Sequence, residues 1–442
     1  MNKPNPLSFR ILTCLGSVAL AALLLMALHA GLVSAQGGGP LTRVTLAEDV
    51  SPISCFPKIS ADGTKILFDN GADVFGECND TNQFATWLYD TSTLTLTRLI
   101  SDSDLLAFES DISGDGTKIA YVKVASAYEA DIWLYDLSTM KHTRITTATD
   151  TDRDSYRPKL NYDGTKIVFV SNSDFLNQGI PASQYELWLY DTTTQTLTRL
   201  TTSSPGSGNG AGNGGYALDI SDDGTKIAFA SNVDLLNGGT IRYPIEVWLY
   251  DTVAMTYTRL TSGTDASREV APELSISRDG TKIAFGGDVD YFGQGIPDGS
   301  WQIWLYDTEA MTLTRITTAS DSSRLSFHPS LNSDGSRIAF VSNADFLNQG
   351  NIQFNESEIW LYDTMTMTYT RITTSPGRTS LTPVISADGS AIAFMSNADF
   401  FDQGDIGELQ KEIWLYEFPV IEPPPSPTPI PQQRVYLPLV LK

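Results

Sequence analysis

A short apolar stretch built on Trp, Leu and Tyr recurs seven times in this chain. The copies are TWLYD at residues 86–90, IWLYD at 132–136, LWLYD at 187–191, VWLYD at 247–251, IWLYD at 303–307, IWLYD at 359–363 and IWLYE at 413–417. Self-similarity at a near-constant period constrains a fold more tightly than any local propensity, because each unit must bury its apolar face against its neighbours. The 442 residues would otherwise suggest two or three domains, but repeats that share one core count as one.

Each unit has four parts. A segment ending in Ser or Asn leads into an Asp-Gly turn, as in Ile59-Ser60-Ala61-Asp62-Gly63, Leu160-Asn161-Tyr162-Asp163-Gly164 and Ile220-Ser221-Asp222-Asp223-Gly224. Asp-Gly between apolar runs is a strong hairpin signal, since glycine accepts the positive φ of the turn. A second strand follows, such as Lys166-Ile167-Val168-Phe169-Val170, and the Trp-Leu-Tyr strand is third. A Thr-rich fourth strand ends the unit, as in Leu197-Thr198-Arg199-Leu200-Thr201.

The second and third strands are apolar on consecutive residues, so both of their faces are buried. The fourth alternates Thr or Arg with Leu or Ile, the pattern of a strand with one side near water. Four antiparallel strands grading from buried to wet, seven times over, predict an all-β chain forming a seven-bladed β-propeller over residues 41–418. An open solenoid is the alternative and requires polar caps. The seventh unit stops at Tyr416-Glu417-Phe418 without an outer strand, while an orphan Leu41-Thr42-Arg43-Val44-Thr45 precedes the first unit. The orphan is expected to complete the last blade, closing the ring and removing two sheet edges.

The pattern Ile-Ser-x-Asp-Gly-Thr-Lys-Ile-Ala-Phe at residues 220–229, followed by Ile-Trp-Leu-Tyr-Asp and Thr-Arg-Ile-Thr, resembles the WD40-like (PD40) repeats of the TolB family of exported bacterial proteins. The resemblance spans residues 41–418 and implies a propeller in the cell envelope or outside the cell. It carries neither TolB's N-terminal non-propeller domain nor the catalytic domain fused to propeller peptidases, and the fold hosts many unrelated activities.

The ends differ from the repeats. Lys3 and Arg10, an apolar run over 11–33 and the small residues Val33-Ser34-Ala35 read as a signal peptide over residues 1–35, with a retained membrane anchor as the alternative. A short Gly-rich lead follows at 36–40. Cleavage leaves 27 basic residues against 52 acidic, a net charge of −25, which argues against nucleic acid and anionic lipid as partners. Cys55 and Cys78 would then meet oxidising conditions, where a disulfide between them is expected, with two unlinked thiols as the alternative. Residues 419–433 form a Pro-rich spacer, and residues 434–442 an apolar tail too short to span a bilayer.

The long connections after the second strands and those between blades share one face, where binding residues usually reside. They contain Ser171-Asn172-Ser173-Asp174-Phe175-Leu176-Asn177-Gln178-Gly179, which returns around Asp234, Asp345 and Asp399, with a degenerate form at residues 286–295. These four aspartates could donate oxygens to calcium. The structural alternative, favoured because the feature repeats, has Asp bonding the loop backbone while Phe175, Phe346 and Phe400 plug the blade gap. No other metal set and no cofactor is indicated. Gly210-Ala211-Gly212-Asn213-Gly214-Gly215 matches a dinucleotide fingerprint in form only, lacking the helix that a phosphate cradle needs.

No catalytic residues are assigned. The mature chain has two histidines, His142 and His328, in different blades, and no nucleophile elbow. The favoured expectation is a non-catalytic module binding an envelope or extracellular protein or glycan. Tyr156, Tyr291, Phe292, Trp301 and Phe327 are the contact candidates, because aromatic side chains are enriched at interfaces. The alternative is an extracellular carbohydrate-active enzyme with paired carboxylates at the channel mouth.

Overall fold

The computed structural model describes residues 33–34, 40–45, 54–70, 85–100, 106–126, 129–147, 153–202, 217–236, 240–263, 270–318, 323–350, 352–353, 355–401, 406 and 410–419. Most of the signal segment, Cys78, the Gly-rich loop at 210–215, the Pro-rich spacer and the tail lie outside them. The described residues form seven antiparallel blades of four strands and contain no helix. In blade 3 the strands are Ser155–Leu160, Lys166–Ser171, Glu186–Asp191 and Thr196–Arg199. The first strands of successive blades touch one another in a closed cycle around the axis.

The consecutive apolar residues of the middle strands serve two different interfaces. In blade 4, Ile227, Phe229, Trp248 and Tyr250 pack backwards onto Val168, Val170 and Leu187 of blade 3. Ala228, Ala230, Val247 and Leu249 pack forwards onto Ile283, Phe285 and Trp304 of blade 5. Side chains alternate across a strand, so the Ile-Ala-Phe motif presents its large residues to one neighbour and its small ones to the other. Each of the seven blade interfaces holds one such core cluster, and each fully buried large side chain contributes about 1.5–3 kcal/mol.

The Asp-Gly turns explain their own motif. Asp62 accepts hydrogen bonds from Ser60 Oγ (2.7 Å), Thr64 N (3.0 Å) and Thr64 Oγ1 (2.8 Å), while Gly63 takes φ +72°. Burial opposes ionisation of Asp62, but these donors outweigh it and hold the carboxyl below its ordinary range. The residue before each Asp-Gly pair, or the aspartate itself, also bonds across to the next blade. Ala61 N donates to Gly114 O, Asp115 N to Tyr162 O, Tyr162 N to Asp222 O and Asp222 N to Arg278 O. Asp279 N to Ser333 O, Ser333 N to Ala387 O and Ala387 N to Ala61 O complete a backbone annulus around the axis.

Tyr162 and Arg278 fold over this annulus. A Cβ on Gly114 would lie 2.5 Å from Tyr162 Cδ2, 2.8 Å from Arg278 Nη1 and 3.1 Å from Tyr162 Cα. Arg278 therefore reaches from blade 5 across to blade 2 and, with Tyr162, narrows the axis on the Asp-Gly face. Gly114→Val is expected to destabilise the protein by about 1–3 kcal/mol through overpacking. Urea denaturation checks it, and an unchanged midpoint would show that Tyr162 and Arg278 move aside freely.

Closure follows the expected latch. Pro40–Arg43 pairs with Glu412–Glu417 in the register Leu41↔Tyr416, Thr42↔Leu415, Arg43↔Trp414. Blade 3 has the same register internally, Tyr190↔Leu197, Leu189↔Thr198, Trp188↔Arg199. Val33 and Ser34, inside the expected signal segment, pair with Leu41 and Pro40 as a two-residue fifth strand.

Candidate functional site

The long-loop face begins where the third strands start, and there five of the seven blades carry a buried acidic side chain two residues before the tryptophan. Glu186 receives Arg199 Nη2 (2.8 Å) and Thr201 Oγ1, and Glu358 receives Arg371 Nη2 (3.0 Å), Thr373 Oγ1 and Ser375 N (2.8 Å). Asp131 is held the same way by Arg144 and Thr146, and Glu412 by Arg43 and Thr45. Thr-Arg-Ile-Thr is thus more than a half-wet strand: its Arg and last Thr clamp an anion of the neighbouring strand. Glu186, Glu358 and Glu412 are essentially unexposed.

The repeated loop aspartates are engaged with their own loops. Asp174 accepts Gln178 N and Gly179 N at 2.7 Å and Ile180 N at 3.3 Å. Burial pushes against its ionisation, and these N–H donors hold the carboxyl below its ordinary range. Asp345 accepts Gly350 N (2.6 Å), Asp399 accepts Phe401 N (3.2 Å), and the buried Asp234 accepts Leu236 N (3.2 Å). Among the described residues no group of three His, Cys, Asp or Glu side chains is placed to hold a metal. The adjacent aromatics stand edge-on to the repeat tryptophans: Phe175 on Trp188 (5.0 Å), Phe346 on Trp360 (5.1 Å) and Phe400 on Trp414 (4.8 Å).

Of the aromatic contact candidates, Tyr291 takes this same plugging position on Trp304, at 5.0 Å. Burial pushes its phenol far up. Phe292, next to it, is 50 % exposed and leans on the edge of Trp304 at 5.6 Å. Trp301 is partly exposed, and its carbonyl accepts Ser326 N (2.8 Å), tying the blade 5 loop to the strand that carries Phe327. Phe327 itself packs against the core between blades 6 and 7. Tyr156 is partly buried in blade 3 against the blade 2 core and is not brought to the others. Cys55 is buried at the core between blades 7 and 1.

A second constellation lines the axis. The first strands carry β-bulges, and Phe56, Glu109, Arg157, His328 and Thr382 at those bulges have φ between +49° and +57°. Left-handed backbone at non-glycine residues is strained, and bulges re-aim side chains. Here they join side chains across blade boundaries. Arg157 N donates to Glu109 Oε2 (2.8 Å), with Arg157 Nε 3.9 Å from Glu109 Oε1. His328 Nδ1 stands 3.8 Å from Glu273 Oε1.

Two residues further along lie Lys58, Asp111, Lys159, Asp219, Ser275, Ser330 and Val384, one per blade. Lys159 Nζ is 3.7 Å from Asp111 Oδ1. Asp111, Asp219, Ser275 and Ser330 each accept a backbone N–H of the following blade, from Leu160, Ile276, Leu331 and Ile385. Burial works against the Lys159 ammonium, but Asp111 and Asp219 outweigh it and hold it above its ordinary value. Sequence reading passed over these axial residues. The signal was present: in units that otherwise repeat, these positions change chemistry from blade to blade.

No protein-family model matches the chain, and no curated protein does. Solved structures do resemble it. An oligogalacturonate lyase from Vibrio parahaemolyticus is 17% identical with a TM-score of 0.55, over 88% of this chain and 96% of that one. The β-propeller domain of the Trilobed protease from Pyrococcus furiosus, described as having an open velcro topology, is 13% identical with a TM-score of 0.53, over 82% and 92%. TolB from Acinetobacter baumannii is 20% identical over 76% of each chain, with a TM-score of 0.39. At these identities the likeness is one of fold: the chain is a seven-bladed β-propeller, latched by its N-terminal strand.

Proposed function

We propose that the protein is an exported, non-catalytic module that binds a protein or glycan through its long-loop face. The observation that carries this reading is the division of labour on that face. Its repeated loop aspartates and clamped glutamates are engaged by loop N–H groups and by the Arg-Thr clamps, while the exposed Phe292 and the partly exposed Trp301 offer aromatic surface on a loop pinned at both ends. Exposed aromatics on a rigid loop make contact surface at low entropic cost.

A second reading is favoured by Glu109 and Glu273, carboxylates aimed at the axis from strained or bulged inner strands. It is a carbohydrate-active enzyme at the channel mouth, a class to which the oligogalacturonate lyase neighbour also belongs. One experiment separates the two. The purified protein is titrated with a panel of neutral and acidic oligosaccharides while products are followed by mass spectrometry, and partners crosslinked in cells are retested as purified proteins. Saturable binding without new products, weakened at least ~10-fold in F292A/W301A, supports the binding module. Product formation abolished in E273Q or E109Q overturns it in favour of the enzyme.

A further inference from the structure

Two axial cations are matched with an acid of a neighbouring blade, Arg157 with Glu109 and Lys159 with Asp111, and the His328 ring faces Glu273 of blade 5. Two axial charges are left over. Lys58, on blade 1, has no hydrogen-bond acceptor and no carboxylate within 4.0 Å among the described residues. Asp219, on blade 4, accepts the N–H groups of Ile220 (3.1 Å) and Ile276 (3.1 Å) and has no cation within that distance. They stand on opposed parts of the ring, and their fields still reach each other. We propose that the central channel binds a small zwitterion, with its carboxylate on Lys58 and its ammonium on Asp219.

The surroundings fit such a guest and disfavour others. A half-buried charge without a partner is poorly solvated and gains from an opposite charge, and here Lys58 and Asp219, both partly exposed, supply one site of each sign on opposed parts of the channel lining. A plain anion set on Lys58 would feel the carboxylates of Asp69, Asp111 and Asp219, and a plain cation set on Asp219 would feel the ammoniums of Lys58 and Lys159 against the single carboxylate of Asp111, itself paired with Lys159. Asp69 is not a rival for the ammonium, because Ser110 N, Ser110 Oγ and Thr86 Oγ1 already fill it at 3.2, 2.8 and 2.9 Å. Burial and then Lys159 press the Lys58 ammonium down to about 8 against the pull of Asp111, Asp69 and Asp219, and burial pushes the Asp219 carboxyl up. On the Asp-Gly side Tyr162, Arg278 and the annulus narrow the axis, so the guest enters from the long-loop face. The site stands independently of what that face recognises.

The test uses the full-length protein and a series in which the charge separation grows: glycine, 4-aminobutanoate and 6-aminohexanoate, together with L-leucine. Ligand-observed NMR and calorimetry read binding. At least one member is expected to saturate, and its N-acetyl and methyl ester derivatives, each missing one charge, are expected to bind about 10-fold weaker or less. K58M and D219N should each weaken it by a similar factor. K58M, which removes an unpartnered charge, should keep or raise the Tm, so loss of binding there cannot be blamed on unfolding. The member that binds tells an α-amino acid from an ω-amino acid. Absence of binding across the series at ~10 mM (above the Kd of ~1 mM that about −4 kcal/mol represents), or equal binding by K58M, or by the N-acetyl derivative, overturns the proposal.

Discussion

A protein lacking the strand Pro40–Arg43 and the two residues after it is expected to lose more than ~5 kcal/mol of stability and to self-associate. Leu41 is 1 % exposed and packs in the core between blades 6 and 7; removing such a leucine alone costs about 2–5 kcal/mol. Deletion also strips Arg43 and Thr45 from Glu412, which is 1 % exposed, and an abandoned buried carboxylate costs about 3–5 kcal/mol. The inner side of the ring is untouched. Ala387 N still reaches Ala61 O at 2.9 Å, and Ile66 and Phe68 still pack on Ala393, Ile413 and Leu415. The expected state is therefore a loosened blade 7 with a bare third-strand edge, not an unrolled chain. Calorimetry and light scattering check it: Tm falls steeply, β-sheet content largely persists, and dimers appear through the edge. Placing the same strand after Phe418 behind an Asp-Thr turn should restore both Tm and monomer. An unchanged Tm on deletion would show that the annulus and core suffice and that the latch is decorative.

The architecture was legible because a propeller repeats its constraints. Tryptophan, the Asp-Gly turn and the orphan Leu-Thr-Arg-Val-Thr each appear in a pattern whose period is the blade itself, and the observed register at Leu41, Thr42 and Arg43 is the one the other blades use. What stayed illegible follows from the same fact. Lys58 and Asp219 lie three blades and 161 residue numbers apart, and only the ring brings them to one channel. Glu358 stands in sequence at the end of a long polar connection, yet it is wholly buried, held there by Arg371 and Thr373 of the outer strand. The aromatic candidates were chosen by type, and type does not separate Tyr291, which plugs its own blade, from Phe292, which faces out.

Breaking one clamp should test how much these buried anions hold. Glu358→Ala is expected to destabilise the protein by about 3–5 kcal/mol. The substitution leaves the Arg371 guanidinium, 4 % exposed, with only the Thr373 carbonyl at 3.0 Å, and orphans Ser375 N. Arg371→Met should cost a similar amount by leaving Glu358 unmatched. Glu358→Gln should cost less, since blade 5 builds the same junction with Gln302, whose Oε1 accepts Thr317 Oγ1 at 3.2 Å. Because the partners act as a unit, Glu358→Gln combined with Arg371→Met should cost clearly less than the two single changes added together, a coupling of about 1–3 kcal/mol. Urea denaturation of the four proteins measures this directly. Additive losses would mean that Glu358 and Arg371 are stabilised separately, by their backbone contacts, and that the recurrence of Arg two residues before the buried Thr reflects strand propensity rather than charge pairing.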